Sequence, residues 1–221
     1  MLSPTDFAAY RRDGFIVVPG VLGSEEVAAL RDVTDEFVRN ARTVAVNDDI
    51  YDLEDSHSPA EPRVRRIKTP HLHHPEYARA ARHPKVVEVL KDLWGTVRFD
   101  TGKLNMKSAG FGAPVEWHQD WAFYPHTNDD LAAVGIMLDD CDRENGPMMV
   151  IPGSHLGPVY DHHGPDGRFC GAMDPAACGL DVFAALPCLG KAGSITVHHV
   201  RAVHGSATNS SGRCLRRRSS S

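Results

Sequence analysis

The second half of the chain is broken into short apolar runs, and this spacing limits the possible folds more than any other feature. Gly, Pro, Asn and Asp separate the runs, which cover residues 97–106, 115–118, 132–138, 148–151 and 193–200. Short strands bounded by turn residues are typical of an antiparallel β sandwich or barrel. A chain of 221 residues with 42% hydrophobic content suits one domain with its own core. We therefore predict a single domain over residues 1–221, with a barrel-like core over about 96–217.

Residues 1–95 carry the signals of helices instead. Helices are predicted over residues 5–12, 24–41 and 84–94, where apolar side chains recur at helical spacing. Thr5 and Ser24 have the hydroxyl groups expected of the first two N-caps. This helical part precedes the barrel along the chain.

The connecting segments differ in character. A short strand is expected over residues 14–19, and the alternating basic residues 63–68 have the pattern of an exposed strand. The acidic residues 43–62 predict a loop or lid. Residues 153–192 form a long insertion rich in Gly and Pro, and a loop of that length is usually functional. The last eight residues, 214–221, do not resemble a buried strand.

Composition excludes several classes of function. The formal net charge of −5 argues against a nucleic-acid partner. The chain has no run of 18 apolar residues and does not begin with the pattern of a secretory signal, so neither a membrane span nor export is expected. The five cysteines include no CxxC pair, which favours reduced thiols in a cytoplasmic protein.

One motif carries the chemistry. His118 and Asp120 are two residues apart, so on a strand their side chains point to the same face. His204 offers a second imidazole 86 positions further on, although His198 or His199 could take its place in a different register. Two His and one carboxylate form the facial triad of a non-haem iron(II) site, which leaves coordination positions open.

Several stretches, in order along the chain, resemble a known family. They are Asp-Gly-Phe-Ile-Val at residues 13–17, Trp-His-Gln-Asp at 117–120, Phe-Tyr-Pro at 123–125, the Asn-Gly-Pro to Pro-Gly-Ser-His block within 144–155, and His-Gly-Ser at 204–206. Together they are similar to the phytanoyl-CoA dioxygenase family of iron(II)- and 2-oxoglutarate-dependent oxygenases. The resemblance covers about residues 5–213 and is specific because the blocks occur together.

The resemblance implies a mainly β fold with flanking helices. This fold is a double-stranded β-helix, also called a jelly roll and related to the cupins, with the N-terminal helices packed on one sheet. It also implies that His118, Asp120 and His204 bind iron(II), that 2-oxoglutarate is decarboxylated to succinate, and that O2 oxidises a small organic substrate. Related halogenases are similar but have a small residue in place of the carboxylate, so Asp120 favours hydroxylation.

The resemblance further implies a cation for the distal carboxylate of 2-oxoglutarate. The family arginine usually lies about eleven residues past the distal His, where this chain has Leu215. Arg213 and Arg216, nine and twelve residues past His204, are the alternatives. Lys107 corresponds to a lysine that contacts 2-oxoglutarate in some family members, and Ser206 offers a hydroxyl contact.

The substrate pocket is expected to lie over the open side of the iron. Trp121 and Tyr124 follow the metal motif and are candidates to line it, with residues 43–75 and 153–192 around them. The C-terminus departs from the family, because an apolar strand is expected where this chain has Arg-Arg-Arg-Ser-Ser-Ser. A truncated C-terminus would leave one barrel strand missing and an edge unpaired. The alternative function is therefore a weak or inactive jelly-roll protein that binds a metal or small ligand.

Overall fold

A computed structural model describes residues 2–109, 112, 114–124 and 126–220. Pro125, which belongs to one of the family motifs, lies outside them. Within these residues the α-helices are α1 (Pro4–Asp13), α2 (Ser24–Asn40), α3 (Pro70–His73), α4 (Pro75–Ala81) and α5 (Pro84–Trp94). No helix in this part of the chain is long and apolar enough to cross a membrane.

The β-strands form two antiparallel sheets. The strands are β1 (Phe15–Val18), β2 (Tyr51–Leu53), β3 (Val64–Lys68), β4 (Gly102–Lys107), β5 (Val115–His118), β6 (Ala132–Met137), β7 (Met148–Val150), β8 (Leu186–Pro187), β9 (Ile195–His199), β10 (His204–Ser206) and β11 (Leu215–Ser220). The larger sheet has the order β1-β9-β6-β11-β4-β3-β2, and the smaller has the order β5-β10-β7-β8. From β4 onward the chain passes back and forth between the two sheets, with β7 and β8 both in the smaller one, and this topology agrees with the predicted jelly roll.

Strand alternation separates a core from a cavity. On the larger sheet Ile67, Leu104, Ile136 and Ile195 are fully buried in one cluster with apolar residues of the helices. The helices therefore cover the outer face of this sheet, as the resemblance implies. The side chains between these positions, such as Lys103 on β4, face the space between the two sheets.

Helix boundaries agree closely with the sequence-based predictions, except at the two predicted caps. The prediction of Ser24 as a cap is wrong, because Ser24 is the first residue of α2 and Gly23 is its N-cap. The first helix begins at Pro4 and is capped by Ser3, whose hydroxyl accepts a hydrogen bond from Asp6 N at 3.2 Å. The prediction of Thr5 as the cap is wrong because Pro4 suits the first helical position, which moves the cap back to Ser3. Helices α3 and α4 are additional elements, and β2 interrupts the predicted loop over residues 43–62.

The basic segment before α3 is not an exposed strand. Val64 and Ile67 are only 2% and 0% exposed, because β3 lies between β2 and β4 and its apolar side chains face the helices. Arg66 and Lys68, on the opposite face, line the cavity between the sheets. The predicted alternation is interrupted, because an irregularity in the register with β2 leaves Arg65 as an extra residue and places both Val64 and Ile67 on the helix side.

The C-terminal residues form a strand in the middle of the larger sheet. Residues 215–220 of β11 pair with β4 along their whole length, and residues 217–220 also pair with β6. The prediction of a missing strand and an unpaired edge at this point is therefore wrong. Backbone hydrogen bonds to two neighbours hold a strand in place whatever its side chains are, and a polar sequence does not exclude it.

Candidate active site

His118, Asp120 and His204 converge between the two sheets. His118 ends β5 and lies opposite His204 on β10, while Asp120 begins the short helical turn that follows β5. One donor atom from each residue lies within 4.8 Å of the others, and this is the one such group of three found among the described residues. All three side chains are buried. The sequence spacing and the register of two strands together produce this cluster.

Hydrogen bonds fix both imidazole rings. His118 Nδ1 donates to Glu116 O at 2.8 Å, and His204 Nδ1 donates to Ala202 O at 2.9 Å. Because a carbonyl only accepts, each Nδ1 carries a hydrogen, which leaves Nε2 as the ring nitrogen that can bind a metal. His118 Nε2 lies 3.6 Å from Asp120 Oδ1, and His204 Nε2 lies 3.9 Å from Asp120 Oδ2. Both ring nitrogens and the carboxylate are therefore close enough to bind the same ion.

The protonation states suit a divalent cation. Burial raises the pKa of Asp120, but His204, His118, His198 and Lys103 outweigh it and hold this pKa well below its usual value. Burial, together with the two neighbouring imidazoles, lowers the pKa of His204 far below its ordinary value. At neutral pH the site therefore offers an anionic carboxylate and a neutral imidazole, which are the forms that bind a metal.

The two alternative histidines on β9 face opposite ways. His198 Nε2 lies 3.2 Å from Asp120 Oδ2, so this buried imidazole is within hydrogen-bonding distance of the carboxylate. His199 points to the other side, where its ring packs 5.3 Å from that of His155. His204, rather than either of these, completes the group of three with His118.

A cavity of about 580 Å³ opens beside the triad. One end of its lining contains Lys107 and Leu215, which are opposite each other on β4 and β11, and Ser206 of β10. The Lys107 ammonium donates a hydrogen bond to Ala207 O. Lys107 and Ser206, both candidates from the sequence, are thus brought to the same cavity as the triad.

The two candidate arginines lie elsewhere. Arg213 is exposed and forms an ion pair with Asp142. Arg216 Nε and Nη2 each bond Asp139 at 2.9 Å, and Nη1 bonds Asp35 at 2.7 Å. Neither guanidinium is among the groups lining the cavity. Side chains alternate along a strand, so a residue next to the inward-facing Leu215 points away from the cavity.

Of the two aromatic candidates, one lines the cavity and the other does not. Tyr124 lines the cavity, and so does its neighbour Phe123, whose ring centroid is 5.6 Å from that of His118. Trp121 is half-buried and is not among the lining residues. Its backbone N–H donates to Val200 O at 2.9 Å, which connects the turn that carries Asp120 to the residue that follows β9.

Sequence reasoning missed four cations in the cavity wall, of which Arg65 is exposed. Arg66, Lys68 and Lys103 lie on adjacent strands, with Lys68 directly opposite Lys103. The signal was present in the alternation of Lys103, Asn105 and Lys107 along one strand. Without the position of that strand in the sheet, the polar face was indistinguishable from a solvated one.

The chain is similar to characterised oxygenases along nearly its whole length. A family model described as phytanoyl-CoA dioxygenase (PhyH) matches residues 10–219. A probable alpha-ketoglutarate-dependent hypophosphite dioxygenase of Stutzerimonas stutzeri is 38% identical over 95% of this chain and 73% of its own length. L-Proline trans-4-hydroxylase of Streptomyces griseoviridis is 32% identical over 93% of this chain and 81% of its own. The crystal structure of EctD from S. alaskensis with 2-oxoglutarate and 5-hydroxyectoine superposes with a TM-score of 0.78 at 25% identity, covering 99% of this chain and 75% of that one.

Proposed function

Since the chain belongs to the phytanoyl-CoA dioxygenase family, we propose that His118, Asp120 and His204 are the ligands through which it binds iron(II). The protein is a non-haem iron(II)- and 2-oxoglutarate-dependent dioxygenase that acts on a small substrate with O2. The convergence of three donor atoms to within 4.8 Å carries the ligand assignment. The donor set fits the ion, because two imidazoles and a carboxylate leave open coordination positions. We propose that residues 1–221 form a single dioxygenase domain.

The residues of the chain hold and orient the reactants. When bound, iron(II) and 2-oxoglutarate supply the oxidising chemistry, in which one oxygen atom hydroxylates the substrate and 2-oxoglutarate becomes succinate and carbon dioxide. Glu116 O and Ala202 O fix the two imidazole rings by accepting from Nδ1. His198 orients the carboxylate of Asp120 through the contact between Nε2 and Oδ2. The ring of Phe123 packs against that of His118.

We propose that 2-oxoglutarate binds at the end of the cavity that contains Lys107 and Ser206, and this end is called the 2-oxoglutarate seat below. Ser206 is two residues past His204 on the same strand, so both side chains share a face. Lys107 supplies the positive charge there, because Leu215 is opposite it and Arg213 and Arg216 are engaged with carboxylates outside the cavity. Tyr124 lies on the substrate side of the same cavity.

The observation that favoured the alternative function, a protein that binds a ligand without turnover, does not hold. It depended on a missing barrel strand, whereas β11 pairs with β4 over residues 215–220 and with β6 over residues 217–220. Succinate release nevertheless separates the two functions, since a protein that only binds ligands releases none.

Two measurements test the proposal. Anaerobic protein with iron(II) and 2-oxoglutarate should show a weak visible charge-transfer band, and the same protein in air should release succinate. His118→Ala should abolish both, whereas the exposed His73→Ala should leave both unchanged. A folded wild-type protein with neither the band nor succinate would contradict the proposed function.

A further inference from the structure

We infer that the substrate of this dioxygenase is a small oxyanion and that Lys103 binds its negative charge. The inference rests on the proposed function, because it names the substrate class of the same site. Lys103 would determine specificity for the anion, in a part of the cavity separate from the 2-oxoglutarate seat.

The cavity wall carries an excess of positive charge. Among the described residues its lining has five cationic side chains, Arg65, Arg66, Lys68, Lys103 and Lys107, and two carboxylates, Glu116 and Asp120. The two charges of iron(II) and those of the 2-oxoglutarate dianion cancel each other. The excess therefore persists in the loaded enzyme, and a cavity with low-dielectric walls concentrates that field on whatever enters it.

Of these five cations, Lys103 and Arg65 have no hydrogen-bond or ion-pair partner among the described residues, and of the two only Lys103 is shielded from solvent, since Arg65 is exposed. Arg66 and Lys68 share the carboxylate of Asp52, at 3.3 and 3.0 Å. Among the described residues, the Lys103 ammonium has neither a hydrogen bond nor an ion pair, although its side chain is partly buried. Burial lowers the pKa of Lys103 and the charge of Asp120 raises it, so the group lies within the field of the iron site. A desolvated ammonium of this kind is stabilised by an anionic ligand.

The 2-oxoglutarate seat does not use this charge. Lys103 and Lys107 are four residues apart on β4, which separates their Cα atoms by roughly 13 Å. Lys107 lies beside Leu215 and close to Ser206, whereas Lys103 lies beside Lys68 at the Asp120 side. The cavity thus has a cation at each end, and the co-substrate accounts for one of them.

Hypophosphite is the small oxyanion that serves as the probe. A relative 38% identical to this chain is a probable hypophosphite dioxygenase. In the corresponding reaction one P–H bond of hypophosphite becomes P–OH, giving phosphite. The second oxygen atom of O2 enters succinate, and 2-oxoglutarate loses carbon dioxide. Hypophosphite is oxidised by two electrons and 2-oxoglutarate by two, so the four electrons that O2 accepts are balanced.

The test compares lysine variants in the iron-loaded protein. Under anaerobic conditions with 2-oxoglutarate, hypophosphite should shift the visible band of the wild type. In air it should yield phosphite and succinate in equal amounts. Lys103→Met and Lys103→Gln should raise both the Kd and the KM for hypophosphite at least about tenfold, with the KM for 2-oxoglutarate within about twofold. Lys103→Arg should restore part of the affinity, and Lys191→Met, which removes an exposed lysine paired with Asp140, should change neither constant.

Three outcomes would overturn the inference. In one, the Lys103 variants leave the KM for hypophosphite unchanged or raise that for 2-oxoglutarate instead. In another, the wild type releases succinate with L-proline but neither binds nor oxidises hypophosphite, which removes the oxyanion class and leaves the dioxygenase intact. Absence of succinate and of the visible band under every condition removes the proposed function itself, and the inference with it.

Discussion

His204 lies directly opposite His118 on the neighbouring antiparallel strand, and their imidazole centroids are 4.2 Å apart. This register makes two residues that are 86 positions apart into neighbours on one face. Asp120 reaches the same point because the chain turns immediately after β5. Three donors on rigid or tightly turned backbone are therefore preorganised, and binding of a metal requires little rearrangement.

The first prediction concerns the carboxylate of this group. Asp120→Asn preserves the shape of the side chain but removes the charge that balances iron(II), so iron affinity should fall at least about 100-fold and succinate formation should be lost. Anaerobic titration with iron(II) measures the affinity. Asp49→Asn, at an exposed position, is the matched control. Wild-type iron affinity in Asp120→Asn would show that the carboxylate is not a ligand.

A second prediction concerns the co-substrate seat. Lys107→Met should raise the KM for 2-oxoglutarate at least about tenfold, because the ammonium proposed to bind the distal carboxylate is lost. Leu215→Arg should lower this KM, since Leu215 is buried opposite Lys107 and a guanidinium there can meet the carboxylate with two hydrogen bonds. Steady-state kinetics with 2-oxoglutarate as the varied substrate measure both effects. Unchanged values in both variants would place the distal carboxylate elsewhere.

The sequence predicted the elements whose signals are local. The third predicted helix, over residues 84–94, coincides with α5, and the histidine and aspartate of the metal motif come together as predicted, although Asp120 lies in the turn after β5 and not on the strand itself. Periodicity and i, i+2 geometry need no knowledge of the rest of the chain.

Features that depend on pairing partners could not be predicted in this way. The polar C-terminus becomes a central strand because β4 and β6 offer backbone hydrogen bonds on both sides. Lys103 faces a cavity rather than solvent because a second sheet covers it. Nothing within a few residues of either segment encodes which other strand lies beside it, so tertiary context decided both.

A third prediction concerns stability at acidic pH. Burial, with a contribution from His155, lowers the pKa of His199 to about 4, whereas an unfolded histidine titrates near 6.5. Between these values the unfolded state binds a proton that the folded state does not. The free energy of unfolding should therefore fall as the pH decreases from about 6.5 to about 4, by at most about 3 kcal/mol.

His199→Asn should flatten this part of the pH profile. Asparagine does not titrate, and its side-chain oxygen can accept from Arg201 N as His199 Nδ1 does at 3.1 Å. Urea denaturation at several pH values measures the slope, and the exposed His73→Gln should retain the wild-type slope. The assignment to His199 fails if both variants lose stability with acid as steeply as the wild type.

The last prediction concerns Gln119, which connects the long 153–192 insertion to the segment that carries His118 and Asp120. Its fully buried amide donates to Pro158 O at 3.1 Å and Arg201 O at 2.7 Å, and it accepts from Tyr160 N at 2.8 Å. Gln119→Met keeps the volume but leaves three backbone groups without a partner, which should cost about 3 kcal/mol of unfolding free energy. The loop should also become more sensitive to limited proteolysis within residues 153–192. Asn128→Ala, which removes one exposed hydrogen bond to Asp130, should cost less than about 0.5 kcal/mol. Equal denaturation midpoints and equal cleavage for wild type and Gln119→Met would mean that the insertion is held by other contacts.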